Sequence, residues 1–327
     1  MCKRGIITLF TAILLCAALP PAGMAARHIS IGTNPVGMAL YTMGASMAEV
    51  LGKDAPDIQI TVEATNGNLQ NALLLAKGDI EIGFVSPKDI LEAYTGTGRF
   101  KAKVPVLGLF SPVIAYQQNA ALAGAGINDI RDLRSKRVGI GPPGAQSRMD
   151  ASLILPGYGM SFDDFKGFSE TLPEMVEKMK NGQLDATLWF GVSPLGPLMD
   201  LEQARDLVWL PADPEAVKPV LEKYPYYFMS ELPAGTYSRQ DKAVPVLAQR
   251  YNLAVRADVP DDVVYAIVKS VFENLKQLGG IYKGWQTCSP ETALQSMTIP
   301  LHPGAIRYFR EINLPGLEEY LARTAGM

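Results

Sequence analysis

The sequence predicts an α/β protein with two lobes of similar size. Its 327 residues are enough for about two domains of roughly 100–200 residues each. Hydrophobic residues make up 48% and charged residues 19%, which is typical of a folded globular chain. Strand and helix patterns alternate along the chain, and the alternation restarts near the middle, which favours two separate α/β units.

The N-terminus has the composition of an export signal. Two basic residues precede the apolar segment Gly5–Leu19, which is too short to span a membrane. We expect a signal peptide over residues 1–25, cleaved after about Ala25, and a periplasmic protein; an uncleaved anchor is the alternative. Cleavage leaves 302 residues, a net charge of −5 and a single cysteine, Cys288, so no internal disulfide is expected.

The first unit reads as three strands, each followed by a helix. Alternating apolar residues predict strands, and apolar residues three to four positions apart predict helices. The strands are 28–32, 58–64 and 80–85, the helices are 38–51, 69–77 and 86–94, and extended segments follow at 104–110 and 113–116. Gly78 ends the second helix, and Pro87 suits the first turn of the third.

The second unit repeats this alternation. Its predicted helices are 127–133, 148–155, 172–181 and 197–205, and its strands are 137–140, 165–169, 186–190 and 207–210. Tyrosines and prolines are concentrated in Tyr224–Tyr237, which predicts a loop or extended chain.

The C-terminal segment returns to the pattern of the first unit. A strand over 247–255 and a helix over 261–278 precede helical segments in 290–325, which prolines interrupt. We therefore predict a first lobe from 26–113 plus 250–327 and a second lobe from 114–249. Two crossings, near 111–117 and 244–251, would join them.

Two such lobes suggest a clamshell with a ligand between them. Ligands of open α/β sheets bind beyond the carboxyl ends of the strands, near helix N-termini. The loops at these positions are 33–37, 65–68 and 86–88 in the first lobe, and 141–148 and 190–193 in the second. If the lobes face each other, these loops converge on one cleft.

Seven sequence blocks along the chain carry a resemblance to a known family. They are ISIGT-x-x-x-G-x-x-x-Y (29–41), VEATNGNLQNALLLAKGDIEIGFV (62–85), DLRSKRVGIGPPGAQS (132–147), NGQLDATLW (181–189), LPAGTY (232–237), RADVPDDVVYAIVKSVFENL (256–275) and IPLHPGAIRYF (299–309). In this order, they resemble the TAXI family, the solute-binding proteins of one class of tripartite ATP-independent periplasmic (TRAP) transporters. The resemblance covers essentially the whole mature chain. It implies a type II periplasmic binding protein fold, a small organic anion as ligand, often amino-acid-like or a dicarboxylate, and a membrane-embedded TRAP permease as partner.

The cleft loops depart from the family pattern. Residues 34–38 replace a Gly-Gly-Thr-Gly-Gly loop, 66–68 replace Gly-Gly-Ser, and 86–88 replace Gln-Ser-Asp. Arg148 stands where the family usually has Glu, and the usual Thr-Ala-Gly is replaced around Phe190-Gly191. We expect the fold to tolerate these changes and the ligand to differ.

Ten residues of the cleft loops and their neighbours are predicted to contact the ligand. They are Thr33, Asn34, Tyr41, Asn66, Asn68, Ser86, Ser147, Arg148, Phe190 and Tyr227. Short polar residues also serve as helix caps, and aromatic residues also fill cores, so both structural roles are alternatives. Whether Lys88 and Glu63 reach the cleft is left open.

The charges of the loops favour an anionic ligand. No Asp or Glu lies within 33–37, 65–68 or 141–148, whereas Arg148 follows a turn at a helix N-terminus. A guanidinium binds a carboxylate with two hydrogen bonds, so we expect Arg148 to be the main charged partner of the ligand. Replacing it by Ala would then cost roughly 2–5 kcal/mol of binding free energy.

Other classes of function have little support in the sequence. A net charge of −3 without a basic block argues against nucleic-acid binding. With only two histidines, a multi-histidine metal site is nearly excluded, and we expect no metal and no cofactor. No candidate nucleophile has a plausible base, so we do not expect an enzyme. We expect a monomer, and a receptor that feeds a sensor protein is the alternative to a transport receptor.

Overall fold

A computed structural model describes residues 27–327. The predicted signal peptide therefore lies outside the described residues. No helix within 27–327 combines the length and the apolar character that crossing a membrane requires.

The described chain forms two β-sheets with helices packed around them. The strands are β1 (Arg27–Gly32), β2 (Ile58–Glu63), β3 (Ile82–Val85), β4 (Val106–Gln117), β5 (Ala120–Leu122), β6 (Arg137–Gly139), β7 (Lys166–Phe168), β8 (Ala186–Thr187), β9 (Phe190–Gly191), β10 (Leu207–Trp209), β11 (Phe228–Leu232) and β12 (Val244–Arg256). The helices are α1 (Ala39–Asp54), α2 (Asn68–Lys77), α3 (Pro87–Thr95), α4 (Gln146–Ile154), α5 (Leu172–Lys180), α6 (Gly196–Ala204), α7 (Pro214–Lys223), α8 (Asp261–Glu273), α9 (Leu275–Ile281), α10 (Pro303–Glu311) and α11 (Leu317–Thr324).

The larger sheet carries the first lobe. Its order is β2-β1-β3-β12-β4-β9, and β11 pairs with β12. β1 is parallel to β2 and β3, whereas β12 is antiparallel to β3 and β4. Parallel strands bring their carboxyl ends to one edge, so α1, α2 and α3 all begin at that edge.

The smaller sheet carries the second lobe, in the order β10-β5-β8-β6-β7. β6 is parallel to β7 and β8, and β5 is antiparallel to β8 and β10. Because α4 follows β6, its first turn lies at the carboxyl end of a parallel strand, as the first turns of α1–α3 do in the other lobe.

Two long antiparallel strands join the lobes. β4 leaves the first lobe and leads into β5 of the second, and β12 returns and pairs with β4 from Ala248 to Arg256. Both strands are buried over most of their length, so the connection is a packed ribbon. The expected type II periplasmic binding protein fold, with two α/β lobes and two crossings, is confirmed. The lobe boundaries at 113/114 and 249/250 stay a prediction.

Two helical predictions differ from the structure. The helix predicted over 261–278 is divided into α8 and α9 at Asn274, whose φ of −114° and ψ of 17° leave the helical region and whose side chain donates to Asp54 Oδ2 and the Ser270 carbonyl oxygen. α7 was not expected, because it contains Pro219 in its interior. Asp213 caps α7 by accepting the backbone N–H of Glu215.

Candidate ligand-binding site

The loops of the first lobe are fixed to one another by the buried side chain of Asn71. Its Nδ2 donates to the carbonyl oxygens of Thr33 and Phe84 at 2.7 and 2.8 Å. Its Oδ1 accepts the hydroxyl of Thr65 at 2.7 Å. One amide therefore ties together the ends of β1 and β3 and the loop after β2, which sets where α1–α3 begin.

Most predicted contacts in these loops are engaged in local structure. The Thr33 hydroxyl, fully buried, donates to the carbonyl oxygen of Glu63 at 2.7 Å. Asn34 Oδ1 accepts the backbone N–H of the half-buried Tyr41 at 2.8 Å. The Asn66 side chain is exposed, and its backbone N–H donates to Gln70 Oε1. None of these residues hydrogen-bonds to the second lobe within residues 27–327, and their role in binding stays a prediction.

The first turn of α3 holds a buried carboxylate that sequence reasoning did not single out. Ser86 Oγ accepts the backbone N–H of Asp89 at 3.1 Å and donates to Asp89 Oδ2 at 2.7 Å. Asp89 is 1% exposed, and its Oδ1 has no hydrogen-bond partner within residues 27–327. Burial raises the pKa of this carboxyl above its ordinary value, and the hydrogen bond from Ser86 opposes the rise.

A second buried carboxylate, Asp150, lies on α4 in the opposite lobe. Its Oδ1 accepts the Tyr227 hydroxyl and, at 2.8 Å, Gln146 Nε2, whereas its Oδ2 has no partner in the described chain. Burial raises the pKa of Asp150 to about 7, and the nearby charge of Asp89 adds to the rise. The two carboxylates therefore influence each other across the junction of the lobes.

Aromatic residues surround Asp150. Tyr227 is buried, and its ring meets that of Phe190 edge-on at 6.1 Å between centroids. Burial, followed by the charge of Asp150, raises the pKa of the Tyr227 hydroxyl well above its ordinary value. The Tyr251 hydroxyl lies beside Asn68 and within the electrostatic reach of Asp150. The hydrogen-bond donors to Asp150 are therefore the Tyr227 hydroxyl and the Gln146 amide, and no basic side chain of residues 27–327 forms a hydrogen bond with it.

A crevice of about 280 Å³, mouth included, opens along the same face of α4. Its polar lining residues are Gln117, Asn119, Ser147 and Asp150, and its apolar ones are Ile130, Ala151, Ile154, Leu155, Leu188, Trp189 and Phe190. The lining residues of α4 recur at helical spacing, so one face of the helix forms the wall.

Glycine at position 141 lets the chain turn tightly into α4. Its φ is +75°, a left-handed conformation that favours glycine, and an added Cβ would lie 3.0 Å from Ser147 Oγ. The turn places Ser147 in the wall, 4% exposed and with no partner for its Oγ in residues 27–327. Gln117, at the end of β4, likewise has a buried Oε1 without a partner there.

Arg148 points to a different side of α4. Its Nη1 donates to Ser169 Oγ at 2.6 Å, and its guanidinium lies 5.2 Å from the centroid of the Phe162 ring. Neither Ser169 nor Phe162 lines the crevice. The proposed role of Arg148 in ligand binding therefore stays a prediction and requires its side chain to leave these neighbours.

Lys88 lies near both buried carboxylates, but it is paired within its own helix. Its Nζ forms an ion pair with Glu92, one helical turn further on. Its charge lowers the pKa values of Asp89 and Asp150 by less than burial raises them. Glu63 contributes a backbone carbonyl to Thr33.

Residues 31–312 match the NMT1-like family. The chain belongs to this family. Its two lobes have the architecture of periplasmic-type solute-binding proteins, as the sequence blocks led us to expect. Assignment to the TAXI subfamily is finer than this match and stays a prediction.

Several solved structures are similar to this NMT1-like chain. The periplasmic aliphatic sulphonate binding protein SsuA from Escherichia coli is 14% identical, with coverage of 91% of this chain and 84% of that chain and a TM-score of 0.47. A putative L-cystine ABC transporter from Listeria monocytogenes is 12% identical, with coverage of 79% and 95% and a TM-score of 0.47. The probable amino-acid ABC transporter extracellular-binding protein ytmK from Bacillus subtilis is 14% identical, with coverage of 80% and 97% and a TM-score of 0.48. At such identities, the ligands of these proteins are not transferred to this chain.

The sequence contains a signal for the two buried carboxylates, Asp89 and Asp150, that the prediction missed. The loops searched for charge end at residues 88 and 148, one and two positions before Asp89 and Asp150. Ser86 and Asp89 have the spacing of a capping box, and Asp150 interrupts the apolar face that Ala151 and Ile154 define. An acid on the apolar face of a helix indicates either a buried partner or a site.

Proposed function

We propose that this protein is an extracytoplasmic solute-binding protein that captures a small organic anion, a carboxylate or an amino-acid-like compound, where its two lobes meet. One observation carries the proposal: polar atoms without partners, on Gln117, Ser147 and Asp150, line a crevice of the second lobe beside a joining strand, and the buried Asp89 of the first lobe, whose charge reaches Asp150, has another. Buried polar groups normally have partners, so a ligand is the natural source of the missing ones. Hinge motion of the joining strands would open and close the site.

The first turn of α4 supports a carboxylate in the ligand. The helix begins after Ala145, whose side chain supplies no cap, so the N–H groups of the first turn lack a side-chain acceptor. The positive end of the helix dipole attracts an anion to the same place. A ligand carboxylate beside Ser147 would provide the missing acceptor.

We further propose that the receptor works in the periplasm and delivers its ligand to a TRAP-type permease. The seven TAXI-like sequence blocks support this partner. A sensor protein is the alternative recipient. Sequencing the N-terminus of the exported protein tests cleavage near Ala25. Crosslinking the loaded receptor in membranes that contain the candidate permease tests delivery, and a crosslink to a sensor alone would contradict it.

Two features support binding without catalysis. The Cys288 thiol is buried, and burial raises its pKa to about 12, so it lacks the thiolate character of a nucleophile. His302 is also buried, and its ring accepts the backbone N–H of Gly304 and contacts the carbonyl oxygen of Val259 at 2.9 Å. Both side chains therefore have structural surroundings and no free access to a substrate.

A thermal-shift screen of carboxylates and amino acids tests the proposed function. A ligand that binds only the folded state raises the melting temperature. At a ligand concentration of 100 times its dissociation constant, it adds about 2.7 kcal/mol to the free energy of unfolding. We expect at least one compound to stabilise the protein and to remain chemically unchanged after incubation. No stabilisation by any compound, or turnover of the one that binds, would contradict the proposal.

A further inference from the structure

We propose that the crevice recognises a cationic amine group of the ligand and that Asp150 is its counter-ion, with Gln117 and Ser147 as further acceptors. This inference deepens the proposed function and rests on it. It names an ammonium, the group that distinguishes an amino-acid-like ligand from a simple organic acid.

The argument begins with the kind of atom that lacks a partner. The partnerless atoms at the crevice are Gln117 Oε1, Ser147 Oγ and Asp150 Oδ2, all of them oxygens. The carboxylate and amide oxygens can only accept hydrogen bonds from a ligand, and the hydroxyl can accept one too. Each side chain is more than nine-tenths buried. A positively charged group with several N–H donors could hydrogen-bond to all three oxygens.

The second step concerns charge. The charge of Asp89, in the other lobe, reaches Asp150, and Asp89 has its own partnerless oxygen. The titratable groups around Asp150 are Lys88, Asp89, Tyr226, Tyr227 and Tyr251. Two cations act on this pair of carboxyls: Lys88, which is already paired with Glu92, and Arg99, which lowers the pKa of Asp89. Neither cation forms an ion pair with Asp89 or Asp150 within residues 27–327, and a buried carboxylate that ionises needs such a partner.

The third step concerns size. The volume of about 280 Å³ includes space open to solvent, so the enclosed part of the crevice is much smaller. It suits one end of a ligand. The apolar wall formed by Leu188, Trp189 and Phe190 would cover the carbon atoms next to the amine and keep water from the ion pair.

Three probes with the same carbon chain test the inference: putrescine, γ-aminobutyrate and succinate, which carry two amines, one amine and none. We expect calorimetry at about pH 8 to show that putrescine and γ-aminobutyrate both bind with higher affinity than succinate. Asp150→Asn should weaken binding of the amines by about 30-fold or more, because the buried charge pair is lost. Asp241→Asn, which changes an exposed carboxylate, is the matched control and should leave affinity unchanged.

The dependence of affinity on pH separates this inference from its opposite. An amine requires the ionised carboxylate of Asp150, so its affinity should rise about tenfold between about pH 6 and about pH 8. If a protonated Asp150 instead donates to a ligand carboxylate, succinate binds best and its affinity falls over the same range.

The outcomes for the inference and for the proposed function are distinct. Any of three results would overturn the amine inference: succinate binds with the highest affinity, Asp150→Asn leaves the affinity for the amines unchanged, or neither amine binds at about 10 mM. The proposed function survives any of these results if another carboxylate from the screen binds. Asp89→Asn provides a second variant if Asp150→Asn does not fold, and it should weaken amine binding in the same direction.

Discussion

The buried carboxyl of Asp150 should make the stability of the protein depend on pH in a way that one substitution removes. Asp150 is 1% exposed, and its pKa rises from 3.8 to about 7 on folding, chiefly because of burial. At 1.36 kcal/mol for each pH unit, that rise corresponds to about 4 kcal/mol between the protonated and ionised forms. The perturbation is Asp150→Asn, which keeps the shape of the side chain and removes the titration.

The sign follows from which state holds the proton. Between about pH 4 and about pH 7, the folded protein keeps the proton on Asp150, whereas the unfolded chain has released it. Folding therefore takes up a proton in this range, and the free energy of unfolding falls as the pH rises. The stabilisation is complete below the unfolded pKa and is lost as the pH passes through the folded one.

Urea unfolding at about pH 5 and about pH 8 measures the effect. We expect the wild type to lose about 2–3 kcal/mol more than Asp150→Asn over this interval. The exposed Asp241→Asn control should follow the wild type. Asp89, whose pKa is also raised by burial, contributes in the same direction in all three proteins, and the measured difference reports Asp150 together with its interaction with Asp89. Parallel profiles for the wild type and Asp150→Asn would refute the assignment of a buried, protonated carboxyl.

Two further predictions follow from single side chains. Arg148→Ala should change the affinity for the best-binding probe by less than about threefold, because its guanidinium lies on Ser169 and Phe162; a loss of 30-fold or more in calorimetry would support the sequence-based expectation instead. Cys288 should react with a thiol reagent only after unfolding, because burial raises the pKa of its thiol to about 12; rapid labelling of the native protein, measured by mass spectrometry, would contradict its burial.

The alternation of apolar residues was sufficient to predict most of the fold. Strand and helix periods depend on local sequence, so β1, β2 and β3 and the helices after them lie close to their predicted positions. The C-terminal helices α8 and α9 pack against α1, and their assignment to the first lobe stays a prediction. α7 was missed because Pro214 and Pro219 read as breaks, whereas Pro214 occupies the first helical position, where no N–H is needed.

The candidate site was predicted only in part, since it depends on which side of a helix meets which neighbour. Ser147 and Phe190 line the crevice and Tyr227 contacts Asp150, all three from the predicted set. Arg148 is adjacent to Ser147 in sequence, but successive helical residues point about 100° apart, so it faces Phe162. Sequence position singled out a loop that borders the crevice, but it could not decide which side chain of the loop faces it.

The two buried carboxylates also connect ligand binding to closure of the lobes. Asp89 belongs to the first lobe and Asp150 to the second, so bringing the lobes together brings their charges together. Without a ligand, that approach requires at least one of them to hold a proton, because two carboxylates in a buried site cannot both ionise cheaply. If an ammonium binds Asp150 in the crevice as proposed, its positive charge offsets the negative charge that Asp89 meets there, and both carboxyls can ionise at lower cost. Under that proposal, the free energy that opposes closure of the empty protein near neutral pH is reduced when an amine binds, and this is the differential affinity that a ligand needs to shift a conformational equilibrium.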